Sequence, residues 1–148
     1  QLRGGARARP VVADDPAEGL GPLAGVLAAL RWARSLESRW VQLVSGDTPF
    51  IPLDLSVRLQ AALSDGCDLA VPESGGRLHH LCGLWCVDQL AGLSTFIDAG
   101  GRAVHEWAES RSFVTVRFDD ASVDPFFNIN TADDLARAER LAAGVDAP

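Results

Sequence analysis

Strand-like and helix-like segments alternate along this chain, and that alternation predicts a parallel α/β sandwich. The strand-like segments are short apolar runs, such as residues 40–44 and 113–118, bounded by Gly, Pro, Asp or Ser. Between them lie stretches with apolar residues at i, i+3, i+4 and i+7, as in Leu23, Val26, Leu27 and Leu30. At 148 residues, with no internal repeat and no linker, the chain is expected to form one domain.

Each element has a local reason. Residues 1–9 are basic and aperiodic, and they and residues 144–148 are expected to be flexible. Pro10-Val11-Val12-Ala13 predicts a strand ending in Asp14-Asp15-Pro16, where a turn before proline is the plain alternative to a binding role. A helix follows from Pro22, a residue suited to the first helical position because its missing N–H has no partner there. It should run to about Arg34. Gly25 weakens its first turn by about 1 kcal/mol against Ala, which points to close packing or close approach of a ligand. Residues 53–63 predict a second helix with Leu55, Leu59, Ala62 and Leu63 on one face, stopped by Ser64-Asp65-Gly66. Residues 68–72 and 80–87 predict strands separated by a loop at 73–77. Residues 88–97 and 102–109 predict helices, and 113–118 a further strand. Thr131 and Asp134 have the spacing of a capping box. They open a final helix whose apolar stripe is Leu135, Ala138, Leu141 and Ala142.

The strand at 40–44 is almost continuously apolar, as in a sheet covered on both faces. Gly46 turns the backbone, and Pro49 and Pro52 forbid further pairing. Asp47 is thereby set just past the carboxyl end of a strand, where ligands bind in open α/β sheets. Its two readings are a turn residue and a metal ligand for a phosphorylated substrate.

The net charge of −7 argues against nucleic acid or an anionic membrane bound through a basic surface. No run approaches the ~20 apolar residues that cross a bilayer. Cys67, Cys82 and Cys86 show no metal-ligand spacing and read as free thiols in a reducing cytoplasm. The chain has no Met, and all 13 basic residues are Arg. With a start in mid-pattern, it is expected to be a fragment or a processed chain.

Four motifs occur together in this order: Pro10-Val11-Val12-Ala13-Asp14-Asp15, Gly21-Pro22-Leu23-Ala24-Gly25, Gly46-Asp47-Thr48-Pro49-Phe50-Ile51-Pro52 and Phe127-Asn128-Ile129-Asn130-Thr131. In this combination the chain resembles the molybdenum cofactor guanylyltransferases from about residue 10 to 143. Residues 77–85 also resemble a family segment, one that usually reads His-Pro where His79-His80 stand. The resemblance implies a three-layer Rossmann-like nucleotidyltransferase sandwich with a mostly parallel sheet. It implies transfer of GMP from GTP to the terminal phosphate of molybdopterin carrying molybdenum, with Mg²⁺ as cofactor. Other molybdenum-cofactor proteins are implied as further partners.

Carried over by position, Asp47 is the catalytic carboxylate that holds Mg²⁺ and lies near GTP, and Asp14 is a second residue near the nucleotide. Pro22, Leu23, Gly25, His79, Asn128 and Asn130 fall on the molybdopterin side. Turn or cap hydrogen bonding is the alternative for the two asparagines, and a strand-edge role for His79. The family's opening strand, its Leu-Ala-Gly-Gly loop and the following lysine have no counterpart here. The resemblance therefore implies a sandwich whose first strand is missing. Two other functions stay open: CMP or sugar-phosphate transfer on the same fold, and a non-catalytic cofactor-binding fragment.

Overall fold

The computed structural model describes residues 19–119 and 123–144. The strand expected at 10–13, with Asp14, lies outside them. Helix α1 (Pro22–Ser35) starts at Pro22 as predicted, and Leu23, Val26, Leu27 and Leu30 are all buried. It is followed by β1 (Trp40–Gln42), α2 (Leu55–Ala62), β2 (Leu69–Ser74), β3 (Arg77–Leu78) and β4 (Leu84–Cys86). The remaining elements are α3 (Leu90–Asp98), α4 (Val104–Glu109), β5 (Phe113–Arg117) and α5 (Ala132–Ala142).

The strand order is β1-β4-β2, with β5 on the other edge of β2. β2 and β5 are parallel, whereas β4 runs against both β1 and β2. β1, β2 and β5 therefore share one direction, with β4 reversed between them. Successive residues face opposite sides of the sheet. Leu69, Val71 and Trp85 enter one core with α1, α3 and Trp107 of α4. Ala70 and Leu84 enter the other, with Leu55 and Leu59 of α2 and with Phe118 and Phe126. Helices thus cover both faces, giving the three layers that the resemblance implies. Among the described residues, no helix is long and apolar enough to cross a membrane.

Three local expectations are corrected. The strand expected over 80–87 is split: His80–Cys82 forms a 3-10 turn before β4. β3 and β4 lie along β2 as one interrupted strand. From Ala70 to Glu73 β2 takes three steps, whereas its partner takes six between Leu78 and Leu84, so three residues are extruded. Gly83 closes that turn, since a Cβ there would sit 3.0 Å from the Ala70 carbonyl. An apolar run alone does not distinguish these forms, because the turn also buries His80 and Cys82.

The second correction concerns the strand before Asp47, which is shorter than expected: it ends at Gln42, with Val41 in one core and Trp40 packed against the other. Val44, two residues past the end of β1, is 54% exposed. The third concerns α5. Its capping box forms as predicted, with Asp134 N donating to Thr131 Oγ1 at 3.1 Å and Thr131 N to Asp134 Oδ2 at 2.9 Å. Of its apolar stripe only Ala138 is buried, and Leu135 is 49% exposed. Periodicity identifies the apolar face of a helix, not what covers it.

Candidate active site

Past β1, Leu43 N still donates to the Gly83 carbonyl, and the chain then turns at Gly46–Asp47. The turn is held by its own hydroxyls. Thr48 Oγ1, buried, donates to the Ser45 carbonyl at 2.7 Å, and Ser45 Oγ donates to Asp47 Oδ1 at 2.5 Å. These bonds fix the half-buried carboxylate and leave Oδ2 without a hydrogen bond to any described residue. The backbone of Asp47 is tied across the sheet end, its carbonyl accepting from Ile129 N at 2.8 Å. Asn128 and Asn130 flank that bond. Two motifs about 80 positions apart in sequence therefore form one rim.

Two cavities open beside the rim. One, of about 250 Å³, is lined by Ser45, Thr48, Arg77, His79, His80 and Asn128, among others. The second, of about 260 Å³, shares Arg77, His79 and Asn128 and adds Asn130, Asp124 and Asp134. Together they bring Asn128, Asn130 and His79 to one place next to Asp47. A third cavity, on the α1 side of Ser45, takes Pro22 and Gly25. Leu23 lines none of these cavities: its side chain is fully buried in the core beneath them. Asp14 lies outside the described residues.

Arg77, exposed, reaches both cavities beside the rim. Arg102 lines neither of these cavities, its Nη1 donating to the carbonyls of Ile97 and Gly101. Burial lowers the pKa of His79, with Asp124 opposing and Arg77 reinforcing the shift. Burial likewise lowers that of His80, against the nearby Glu109 carboxylate. Burial raises the Cys82 thiol above its ordinary range. Cys82 and Cys86 are buried and all three cysteines are free.

No cluster of three or more His, Cys, Asp or Glu side chains fit to enclose a metal occurs among the described residues. The group here that could hold a Mg²⁺ ion is the Asp47 carboxylate through Oδ2, the oxygen that Ser45 leaves open. That ion keeps several waters and takes one or two carboxylates together with substrate phosphates. Sequence reasoning missed Ser45, Ser74 and Asp124. The Ser-x-Asp-Thr order of a side-chain-capped turn would have flagged Ser45. Ser74 and Asp124 lie 50 positions apart, and no local pattern joins them.

A sheet covered by helices on both faces, with a carboxylate held at a strand end against an asparagine-bearing loop, is the framework of a nucleotidyltransferase. Residues 4–113 match the MobA-like NTP transferase domain, and the chain belongs to that family. It is 44% identical over 138 residues to a molybdenum cofactor guanylyltransferase of Mesorhizobium japonicum, covering 89% of this chain and 66% of that protein. A molybdenum cofactor guanylyltransferase of a Bradyrhizobium species is 42% identical over 140 residues, covering 92% and 66%. Among solved structures, molybdopterin-guanine dinucleotide biosynthesis protein A from Archaeoglobus fulgidus superposes with a TM-score of 0.69 at 26% identity. That match covers 86% of this chain and 65% of the other. The chain thus spans 66% of the length of each of these two curated relatives.

Proposed function

We propose that this protein takes part in transferring GMP from GTP to the terminal phosphate of molybdopterin carrying molybdenum. The observation that carries the reading is the joined rim: Asp47, Asn128 and Asn130 meet through the Asp47–Ile129 backbone bond. The Asp47 carboxylate at the rim is the site for a metal–phosphate group, and the cavities beside it, lined by Asn128, Asn130, His79 and Arg77 together with Asp124 and Asp134, are the site for a polar ring. The names of the relatives support the same assignment.

In this reaction a phosphate oxygen of the acceptor attacks the α-phosphorus of GTP. The bond from that phosphorus to the bridging oxygen breaks, and pyrophosphate leaves with the electron pair. Such transfers depend on positioning and charge neutralisation more than on proton transfer. Mg²⁺, held by Asp47 Oδ2, would supply several kcal/mol of charge stabilisation. The chain's own part is to present that oxygen in a fixed direction, which the Ser45 hydroxyl achieves by occupying Oδ1. Asp14 is proposed as a second residue near the nucleotide. Asn128, Asn130 and His79 offer donors and acceptors to the pterin without adding negative charge. Pro22 and Gly25 line the cavity on the α1 side of Ser45.

The three free cysteines fit a reducing cytoplasm. Pyrophosphate release from GTP in the presence of Mg²⁺ and molybdenum-loaded molybdopterin tests the assignment, with CTP as the competing donor. Release with GTP and loss of it in Asp47→Asn are expected. Preference for CTP would assign another transfer, and no release with either would leave a binding role only.

A further inference from the structure

His79 belongs to a hydrogen-bonded chain that the proposed reaction does not explain. Its Nε2 lies 2.9 Å from Ser74 Oγ, and Ser74 Oγ donates to Asp124 Oδ1 at 2.7 Å. Ser74 is buried, at 4% exposure. The same Asp124 oxygen accepts from Phe126 N at 3.0 Å, and the Phe126 ring stacks on His79 at 4.5 Å with planes 22° apart. His79 N is fixed as well, donating to the Pro72 carbonyl at 2.9 Å. Three separate segments thus converge on one imidazole: the end of β2, the turn after β3 and the loop leading to Asn128.

The direction of the bonds follows from counting protons. A serine hydroxyl has one proton, and here it is committed to the Asp124 carboxylate. Ser74 Oγ can then only accept from the imidazole, so Nε2 carries hydrogen. The Ser74 backbone also faces the ring as an acceptor, which favours a ring N–H on that side, and Nδ1 is the nitrogen that Ser74 Oγ does not engage. The ring lines both cavities that Asn128 lines.

We infer that Asp124 and Ser74 are positioning residues that hold His79 as the Nε2–H tautomer, leaving Nδ1 as an acceptor for a ring N–H of a pterin-class substrate. The inference rests on the proposed function and gives it a recognition element. Burial favours the neutral ring that this role needs. The charged and titratable groups about His79 are Asp124, Arg77 and His80, with Asp134 across the second cavity. Arg77 and His80 disfavour the imidazolium, and Asp124 favours it.

Long-range ¹H–¹⁵N correlation spectra of the protein, taken near neutral pH, read the tautomer directly. The wild type is expected to show a protonated Nε2 and a bare Nδ1, and free pterin should shift the Nδ1 resonance. In Ser74→Ala, with folding checked by circular dichroism, the two tautomers should mix. The dissociation constant for pterin should then rise about three- to tenfold, the loss of one hydrogen bond's orientation. Asp124→Ala frees the serine proton to turn toward Nε2 and should mix the tautomers too. A protonated Nδ1 in the wild type, an unchanged tautomer in Ser74→Ala, or an Nδ1 signal unmoved by pterin would each overturn the inference. If pterin moves Nδ1 while no GMP transfer is found, this inference stands and the guanylyltransferase reading falls.

Discussion

Replacing Trp85 by phenylalanine removes one N–H and part of one ring at the centre of the sheet. Trp85 is fully buried on β4, opposite Val41 on one side and Leu69 on the other. Its Nε1 donates to the His80 carbonyl at 3.0 Å, bracing the turn that carries His80, Leu81 and Cys82 into the cavity. The lost ring atoms correspond to roughly one to two buried methylenes, at about 0.8 kcal/mol each. The His80 carbonyl keeps Gly83 N at 3.2 Å, so the lost bond costs about 1 kcal/mol and not the full price of an orphaned acceptor. The sum is about 2–3 kcal/mol. For a chain of this size that lowers the melting temperature by about 4–12 °C. Urea unfolding followed by far-ultraviolet circular dichroism measures it, and the midpoint should fall with little change in slope. A loss below about 0.5 kcal/mol would show that Trp85 neither fills the core tightly nor holds the turn.

Further outcomes follow from other sites. Thr131→Ala removes the hydroxyl that accepts from Asp134 N, and should cost about 1 kcal/mol in thermal unfolding. Leu30→Ala, at a fully buried position of α1, should cost about 2–5 kcal/mol in the same assay. Stability should also depend on pH through His79 and His80. Burial sets both folded pKa values below the ordinary histidine value of 6.5, so below it the unfolded chain binds more protons than the folded one. Their contribution is complete above 6.5 and is lost as pH falls through the folded values. His80→Gln should flatten the stability–pH slope below about 6.5, and an unchanged slope in calorimetric melts would contradict it.

Much of the architecture was legible in the chain. The spacing of Leu23, Val26, Leu27 and Leu30 marks the buried face of α1, and Thr131 with Asp134 marks the start of α5. Both signals are local, and local physics decides them. The broken strand at His80–Cys82 was not legible, because its cause is the non-local fit of Gly83 against the Ala70 carbonyl. The exposure of Leu135 and Val44 was illegible for a similar reason: patterns report which face is apolar and not what lies against it. At the site, Asp47 announced itself by standing between a strand and two prolines. Its link to Ile129, and the chain from Asp124 through Ser74 to His79, exist only once the segments are folded together.

The central claim is that Asp47 organises a Mg²⁺-dependent guanine nucleotide site. Thermal shift of the wild-type protein and of Asp47→Asn, with GTP or CTP and with or without Mg²⁺, tests it most directly. Stabilisation by GTP is expected only when Mg²⁺ is present, with a smaller effect of CTP and loss of the GTP effect in Asp47→Asn. A larger shift with CTP, or an Asp47→Asn protein that still responds to GTP and Mg²⁺ like the wild type, would contradict it.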